Sequence, residues 1–454
     1  MIREKSFYRE FFVLMMALVL EQIVVLSVNL ADNVMIGSYS ETALSGVAAV
    51  NQIQFVLQQI AYGISGGLVM LASQYWGQNR PEPIRRLTAI SLLYALALGA
   101  AFFAAVTFAP SGCVRLFVDD PDVITEGARY LSVVRFSYLP FVLTVALLGA
   151  MRSVGTVRLA VVSSLVGLVV NCVVNYVLIF GRFGSPELGV VGAAVGTLVA
   201  RILEFLIVVG YVLLRDRKLC LRSRDLVRID RQLLADYSRV TPVIMATSAM
   251  WGLNNALQTA ILGHLNTQSM TAYSITTTVY LLLKVGSVGA ANAASILIGR
   301  KIGAEEDLRP AVRTMQVLFL AIGAVAGALL FAVRVPILSL YAVSPETYRL
   351  ANTFFLIEVV TMLGMSYQMP VNTGIIRGGG DTRWVFWQDV ISIWMIVLPL
   401  SYLAAFRWNL SPVIVVILLN SDQVFKCVPA SLRVNSYRWV KKLTRAEEKQ
   451  ESDV

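Results

Sequence analysis

The chain has 454 residues, 57% of them hydrophobic and 15% charged, and its mean hydropathy is +0.69. A soluble domain carries about 25% charged residues, so this composition excludes an ordinary soluble protein and points to an all-α polytopic membrane protein. The net charge of +10 invites a nucleic-acid partner, but the charge is gathered in alternate loops, which makes it a topology signal and excludes nucleic acid. Four cysteines (Cys113, Cys172, Cys220 and Cys427) are too scattered for a metal motif or a disulfide framework.

Apolar runs of about 20 residues mark spanning helices. Twelve are predicted, at 12–36, 50–75, 88–108, 130–150, 159–180, 190–214, 238–262, 272–298, 312–333, 352–376, 384–406 and 412–432. The first follows a basic start, MIREKSFYREFF, with no A-x-A site behind it, and reads as a retained helix. Predicted helices 2 and 8 are polar for their depth (NQIQFVLQQ and SITTTVYLLLKVG), so faces lining an aqueous cavity are expected. Basic residues stand before helix 1 (Arg3, Lys5, Arg9), after helix 2 (Arg80, Arg85, Arg86) and after helix 4 (Arg152, Arg158). They recur in RDRKLCLRSRDLVRIDRQLLADYSR after helix 6, after helices 8 and 10, and in the tail. The intervening loops are poor in them, and VDDPDVITEG is acidic. The positive-inside rule puts both termini and the 215–239 loop in the cytoplasm, with the chain in the cytoplasmic (inner) membrane.

The chain repeats itself. DNVMIGSYSETALSG at 32–46 aligns with QTAILGHLNTQSMTA at 258–272, LASQYWG at 71–77 with AASILIG at 293–299, and MRSVGTVR at 151–158 with IRGGGDTR at 376–383. Two pseudo-symmetric six-helix lobes are expected, at 1–214 and 240–432, joined by a linker at 215–239 and followed by a cytoplasmic tail at 433–454. LVRIDRQLLADYSR in the linker reads equally as an amphipathic surface helix or as a solvated connector.

Ionisable residues at membrane depth are Glu21, Asp32, Arg135, Arg201, Glu204, Lys284, Glu358, Asp389, Asp422 and Lys426. Asp422 and Lys426 are near enough to a cytoplasmic end to snorkel, and Arg201 and Glu204, three apart, are expected to neutralise each other. Asp32 is harder to place, because a carboxylate in hydrocarbon costs at least ~2.5 kcal/mol and normally faces protein or water. Glu21 precedes it by about three helical turns, so both lie on one stripe with Asn29 nearby. The repeat puts neutral Gln258 opposite Asp32, so packing of the repeat does not demand the acid. In helix 5, Asn171 and Asn175 share a face, whereas the second half has Ile396 and Leu400 there; Thr197 lies on helix 6. Asp32, the two amides and the hydroxyl form an all-oxygen set suited to a hard monovalent cation or a proton. The spacing alone is equally compatible with asparagines acting as interhelical glue.

The second half offers Lys284 and Glu358 as a pair across the lobe, either a structural neutralisation or a relay or cargo contact, with Asp389 early in helix 11. Tyr273, Tyr280, Met250, Trp251, Tyr367 and Met369 form either an aromatic, polarisable cavity wall or ordinary packing. His264, the single histidine, reads as a surface-turn residue without an acid or Cys cluster, and no G-x-x-x-x-G-K-[ST] loop is present, so no enzyme is expected. IRGGGDTR reads as a tight cytoplasmic turn between helices 10 and 11.

DNVMIG resembles the helix 1 signature of the multidrug and toxic compound extrusion (MATE) family, and NCVVNYVLIFGRFGSPELGVVGAAVGT resembles its helix 5 to helix 6 stretch. LASQYWGQNR is similar to the family's helix 2 end and IIRGGGDTRW to the loop after helix 10, and the likeness spans nearly the whole chain. The resemblance implies a secondary antiporter that exports organic, often cationic, compounds in exchange for Na+ or H+. The coupling cation, which would be the only ion and no cofactor, is then implied to bind at Asp32, Asn171, Asn175 and Thr197. Glu21, Asn29, Gln258, Lys284, Glu358 and Asp389 are candidates for coupling or for lining the cargo cavity. PVIMATSAMWGLNN and SYQMPVNTG lack the acids that many members carry in helices 7 and 10, which puts a second cation site of that kind in doubt. Expected partners are small organic substrates and membrane lipid, and the expected state is a monomer. A flippase for lipid-linked saccharides is the competing expectation, and a receptor or scaffold that moves nothing is a third.

Overall fold

A computed structural model describes residues 2, 4–221, 225, 229–263, 265, 267–341 and 343–445. The long helical segments are α1 (Lys5–Tyr39), α2 (Glu41–Gly77), α3 (Pro81–Phe108), α4 (Pro121–Ser153), α5 (Arg158–Ile179) and α6 (Val190–Leu214). They continue as α7 (Arg231–Gly263), α8 (Thr267–Gly303), α9 (Arg309–Leu338), α10 (Pro345–Ile376), α11 (Thr382–Arg407) and α12 (Pro412–Asn435). Among the described residues there is no strand, and 11 of these segments are long and apolar enough to cross a membrane. The remaining one, α7, has 33 residues but breaks its apolar run with Asn254, Asn255 and Gln258. His264 lies outside the described residues, as does part of LVRIDRQLLADYSR; the stretch 231–239 of the expected linker forms the first turns of α7.

Every predicted helix is present, and most run beyond the predicted ends. Hydropathy reports only the roughly 30 Å hydrocarbon slab, whereas backbone hydrogen bonding carries a helix on until a cap satisfies its free N–H groups. Ser40 caps α2 through Ala43 N (3.2 Å), Asp120 caps α4 through Asp122 N (2.9 Å), and Ser344 caps α10 through Thr347 N (3.2 Å). Pro121 and Pro345 then occupy first-turn positions, where a missing N–H costs nothing.

The repeat is visible in the backbone. At Gly155, φ is +77°, with Gly155 N bonded to Arg152 O (2.9 Å) and Thr156 N to Met151 O (2.8 Å). The matching Gly380 has φ +100°, with Gly380 N bonded to Arg377 O (2.9 Å) and Asp381 N to Ile376 O (3.2 Å). Both are left-handed helix stops that favour glycine, and the second is the tight turn expected from IRGGGDTR. The match fails in α11, where π-helical turns over Val390–Val397 and Leu403–Arg407 change which side chains face inward. Ile396 and Leu400 are accordingly 37% and 39% exposed, while Asn171 and Asn175 are fully buried.

The two halves meet through α1, α2, α7 and α8, and their contact is tightest at the end of the bundle that carries residues 4–10 and 436–445. This is called the tail side below. A Cβ at Gly303 would lie 1.9 Å from Gln74 O, one at Gly77 2.1 Å from Arg300 O, and one at Gly299 2.7 Å from Ser73 Cβ. Gly77 and Gly299 are repeat equivalents, so each half supplies a glycine on which the other rests. Arg300 spans the seam by donating to Glu10 Oε1 (2.6 Å) and Ser153 O (3.1 Å).

An extended strap completes the seal. Trp439 is fully buried against Gly379 and donates to Val434 O (2.7 Å). Lys441 N bonds Gly379 O in the second half (2.8 Å), and two residues on Leu443 N bonds Gln74 Oε1 in the first half (2.9 Å). Gln74 Nε2 also donates to Lys441 O (3.1 Å), and Arg445 reaches both carboxylate oxygens of Asp236 at the start of α7 (2.6 and 2.9 Å). The basic tail residues, read from sequence only as a topology signal, therefore have specific partners.

Two outcomes test this packing. Gly303→Val should force the tail-side seam apart: a cysteine at Ser73, fully buried here, placed in a background without the native cysteines, should react several-fold faster with an impermeant maleimide; unchanged protection would refute the close-contact argument. Gln74→Ala removes two strap hydrogen bonds, each worth ~1 kcal/mol, and should speed hydrogen exchange across 439–445 by about thirtyfold without altering that of α4.

Candidate functional site

In the first half, α1, α5 and α6 bring Asp32, Asn171, Asn175 and Thr197 together. The approach depends on small residues. A Cβ at Gly196 would lie 2.0 Å from Asn175 Oδ1, so only glycine there leaves room for the amide. Asn175 Nδ2 donates to Asp32 Oδ1 and to Asn171 Oδ1 (3.3 Å), and Asn171 Nδ2 lies 3.5 Å from Thr197 Oγ1. Asp32 is 9% exposed and both asparagines are fully buried. Asn175 Oδ1 is buried without a hydrogen-bond partner. An unsatisfied amide carbonyl near a carboxylate is an all-oxygen chemistry that fits a hard cation. Tyr130 on α4, buried beside Thr197, completes one wall; it is more than thirty residues from any predicted ligand, so helix spacing gave no signal for it.

Other predicted residues fall elsewhere. Glu21 shares the buried stripe with Asp32 but forms an ion pair with Arg152 at the end of α4. Arg152, expected in a loop, is thus a partly buried partner. Asn29 is on the exposed side of α1, away from the cluster. Gln258, the repeat equivalent of Asp32, donates to Asn254 Oδ1 (3.3 Å), so the second half puts a neutral amide pair in that place.

Charge pairing at depth sorts the remaining candidates. Arg201 and Glu204 pair as expected (2.8 Å), and Arg201 also stacks over Phe141 (4.9 Å). Asp422 and Lys426 do not snorkel: both are 3% exposed, and Lys426 Nζ lies between Asp389 (2.8 Å) and Asp422 (3.1 Å) in an internal trio. The expected Lys284–Glu358 pair is not formed. Glu358, on α10, is 3% exposed with Oε2 unpartnered, and Lys284 instead stands over the Trp251 ring, 4.5 Å from its centre. α8 turns Lys284 towards α7, while Glu358 points into the second half beside Thr276 and Tyr280. Among the described residues no salt bridge reaches Asp32, Lys284 or Glu358. Of the expected aromatic wall, Tyr367 packs in the second half and donates to Gln316 Oε1 (2.8 Å), and Tyr273 and Tyr280 pack on its core; Trp251 stands at the seam, 6.1 Å from Phe55 of α2.

The chain matches the family model described as MatE twice, over residues 17–177 and 242–403, so each half carries one copy. A curated relative, the probable multidrug resistance protein NorM of Agrobacterium fabrum, is 25% identical over 413 residues, 88% of each chain. The MATE transporter VcmN of Vibrio cholerae, solved in a bent form, superposes with a TM-score of 0.82 at 17% identity, covering 95% of this chain and 97% of that one. A transporter of the MOP superfamily from Pyrococcus furiosus, reported with a binding pocket of reversed polarity, gives 0.84 at 16% identity, over 95% and 96% of the two chains. With the family model matched in both halves and this fold shared, the chain belongs to the multidrug and toxic compound extrusion family of membrane transporters.

Proposed function

We propose that the protein is an antiporter that exports organic compounds in exchange for Na+ or H+ by alternating access, with Asp32, Asn171, Asn175 and Thr197 as the coupling-ion site. The observation that carries this reading is the pairing of a buried carboxylate that has no ion-pair partner among the described residues with the orphaned Asn175 carbonyl. A carboxylate at this depth is stabilised when an ion neutralises it, and that free energy drives transport only if the ion binds the two conformations with different affinity. On the orientation read from the loop charges, the tail side is cytoplasmic, the membrane is the inner one, and the glycine seam is the cytoplasmic gate. An ion arriving from outside would then find the molecule closed inward. The multidrug resistance assignment of the Agrobacterium relative supports export of organic cargo, and the aromatic faces of Trp251 and Phe55 at the seam suit a flat organic compound. A saccharide-lipid flippase would call for several unpaired cations at mid-depth. Arg152, Arg201 and Lys426 are all engaged by carboxylates, which leaves, among the described cations named at depth, Lys284 over Trp251 and Arg135 over Phe103 and Phe136.

Dye efflux from proteoliposomes, with Na+ and pH gradients varied separately, tests the reading. Asp32→Asn should abolish gradient-driven uphill movement while leaving thermal stability within ~1 kcal/mol; undiminished uphill transport would refute the assignment. Asn175→Ala should raise the half-saturating concentration of the coupling ion by about tenfold, the effect of losing one charge-assisted contact, and an unchanged value would remove Asn175 from the site.

A further inference from the structure

Lys284 is a half-buried cation that the ion site leaves unused. Its Nζ lies 4.5 Å from the centre of the Trp251 ring, and that ring is 6.1 Å from Phe55. At Gly252 α7 faces α2 at ordinary contact distance: an added Cβ would sit 3.4 Å from the Phe55 ring and 3.8 Å from Gln59 Cγ. Ammonium, indole, phenyl and carboxamide thus come from α8, α7 and α2, and so from both halves of the molecule. All four side chains are partly exposed. One level towards the tail side the seam closes, with Gly289 against Met15 and Val19 and Gly63 against Met245. Lys284 therefore stands at the seam, one level beyond these tight contacts.

The ring face attracts the ammonium but supplies no ion-pair partner, and Asp422 acts on it only across a longer distance. Three other cations at depth are paired directly, Arg152 with Glu21, Arg201 with Glu204, and Lys426 with Asp389 and Asp422, whereas Arg135, like Lys284, rests on aromatic rings, those of Phe103 and Phe136. Among the described residues no Asp or Glu oxygen lies within the 4.0 Å of an ion pair from Lys284 Nζ. We propose that Lys284 reads the charge of the cargo: it pairs with a carboxylate on a flat aromatic compound whose ring lies against Trp251 and Phe55. This rests on the exporter reading and narrows its cargo. A compound bearing only positive charge would meet like charge in a site of low dielectric, whereas a zwitterion or an aromatic acid would supply the missing anion. Because the groups come from both halves, such a compound would bridge them and be released when they part.

The test uses the full chain in proteoliposomes with two fluorescent probes: a rhodamine with its free benzoate carboxylate, a zwitterion, and the same rhodamine as its methyl ester, a cation. Binding and gradient-driven efflux of both are measured for the parent, Lys284→Met and Lys284→Arg. The parent should bind the free acid at least about tenfold more tightly than the ester. Lys284→Met should lose that preference by weakening the acid while keeping or improving the ester, which also shows that the variant is folded; Lys284→Arg should retain the preference. Equal binding of the two probes by the parent, or a preference that survives Lys284→Met, would overturn the assignment to Lys284. Failure of the parent to bind or move either probe would overturn the exporter reading and this inference together, whereas efflux of the ester alone would sink only the inference.

Discussion

A charged group in hydrocarbon must be met by an opposite charge, a cage of dipoles or a passing ion, and the organisation of this chain follows from how it applies the three remedies. Where the charge is structural, the partner is supplied within the fold: Arg152 for Glu21, Glu204 for Arg201, and the Asp389 and Asp422 pair for Lys426. Such pairs are roughly neutral in stability when whole and costly when halved, so they hold helices in one rotation about their axes. Asp32 and Lys284 are met only by amides and by an aromatic ring. They differ in sign and in place, one inside the first half and one at the seam, so on the function proposed above ion and cargo would not compete for the same atoms.

The repeat explains why this division is available. Two copies of one helical plan meet at glycines that correspond to each other, and the shared left-handed stops at Gly155 and Gly380 keep the tail-side loops alike. The copies then diverge where chemistry is placed. Gln258 replaces Asp32, and the π-helical turns of α11 carry Ile396 and Leu400 outward where α5 buries Asn171 and Asn175. On the function proposed above, the first copy would hold the ion while cargo would lie at the seam between the two.

Much of this was legible in the sequence. Helix number, approximate spans, the repeat, the glycine turn and the gathering of Asp32 with Asn171 and Asn175 all follow from periodicities local to one helix or shared by two. What was not legible depends on how helices rotate against one another. Lys284 and Glu358 lie on neighbouring helices and carry opposite charges, yet α8 turns one towards α7 and α10 turns the other into its own half. Lys426 looked able to reach the membrane surface because a long side chain near a helix end usually can, but Asp389, distant in sequence, offers a closer partner. The strap at 439–445 has no hydropathy signature at all, since its role lies in backbone hydrogen bonds to Gly379 and Gln74.

That strap also sets a length scale for motion. Its anchor on the second half, at Lys441, and its anchor on the first, at Leu443, are separated by a run of chain that extends to roughly 7 Å when drawn straight. A leash so short leaves almost no slack. Either the halves swing about a pivot close to Gln74, so that the tether travels with the hinge, or the leash must let go of one half each time a drug-sized entrance forms, and the frequency of that unhooking would then cap the turnover of the pump.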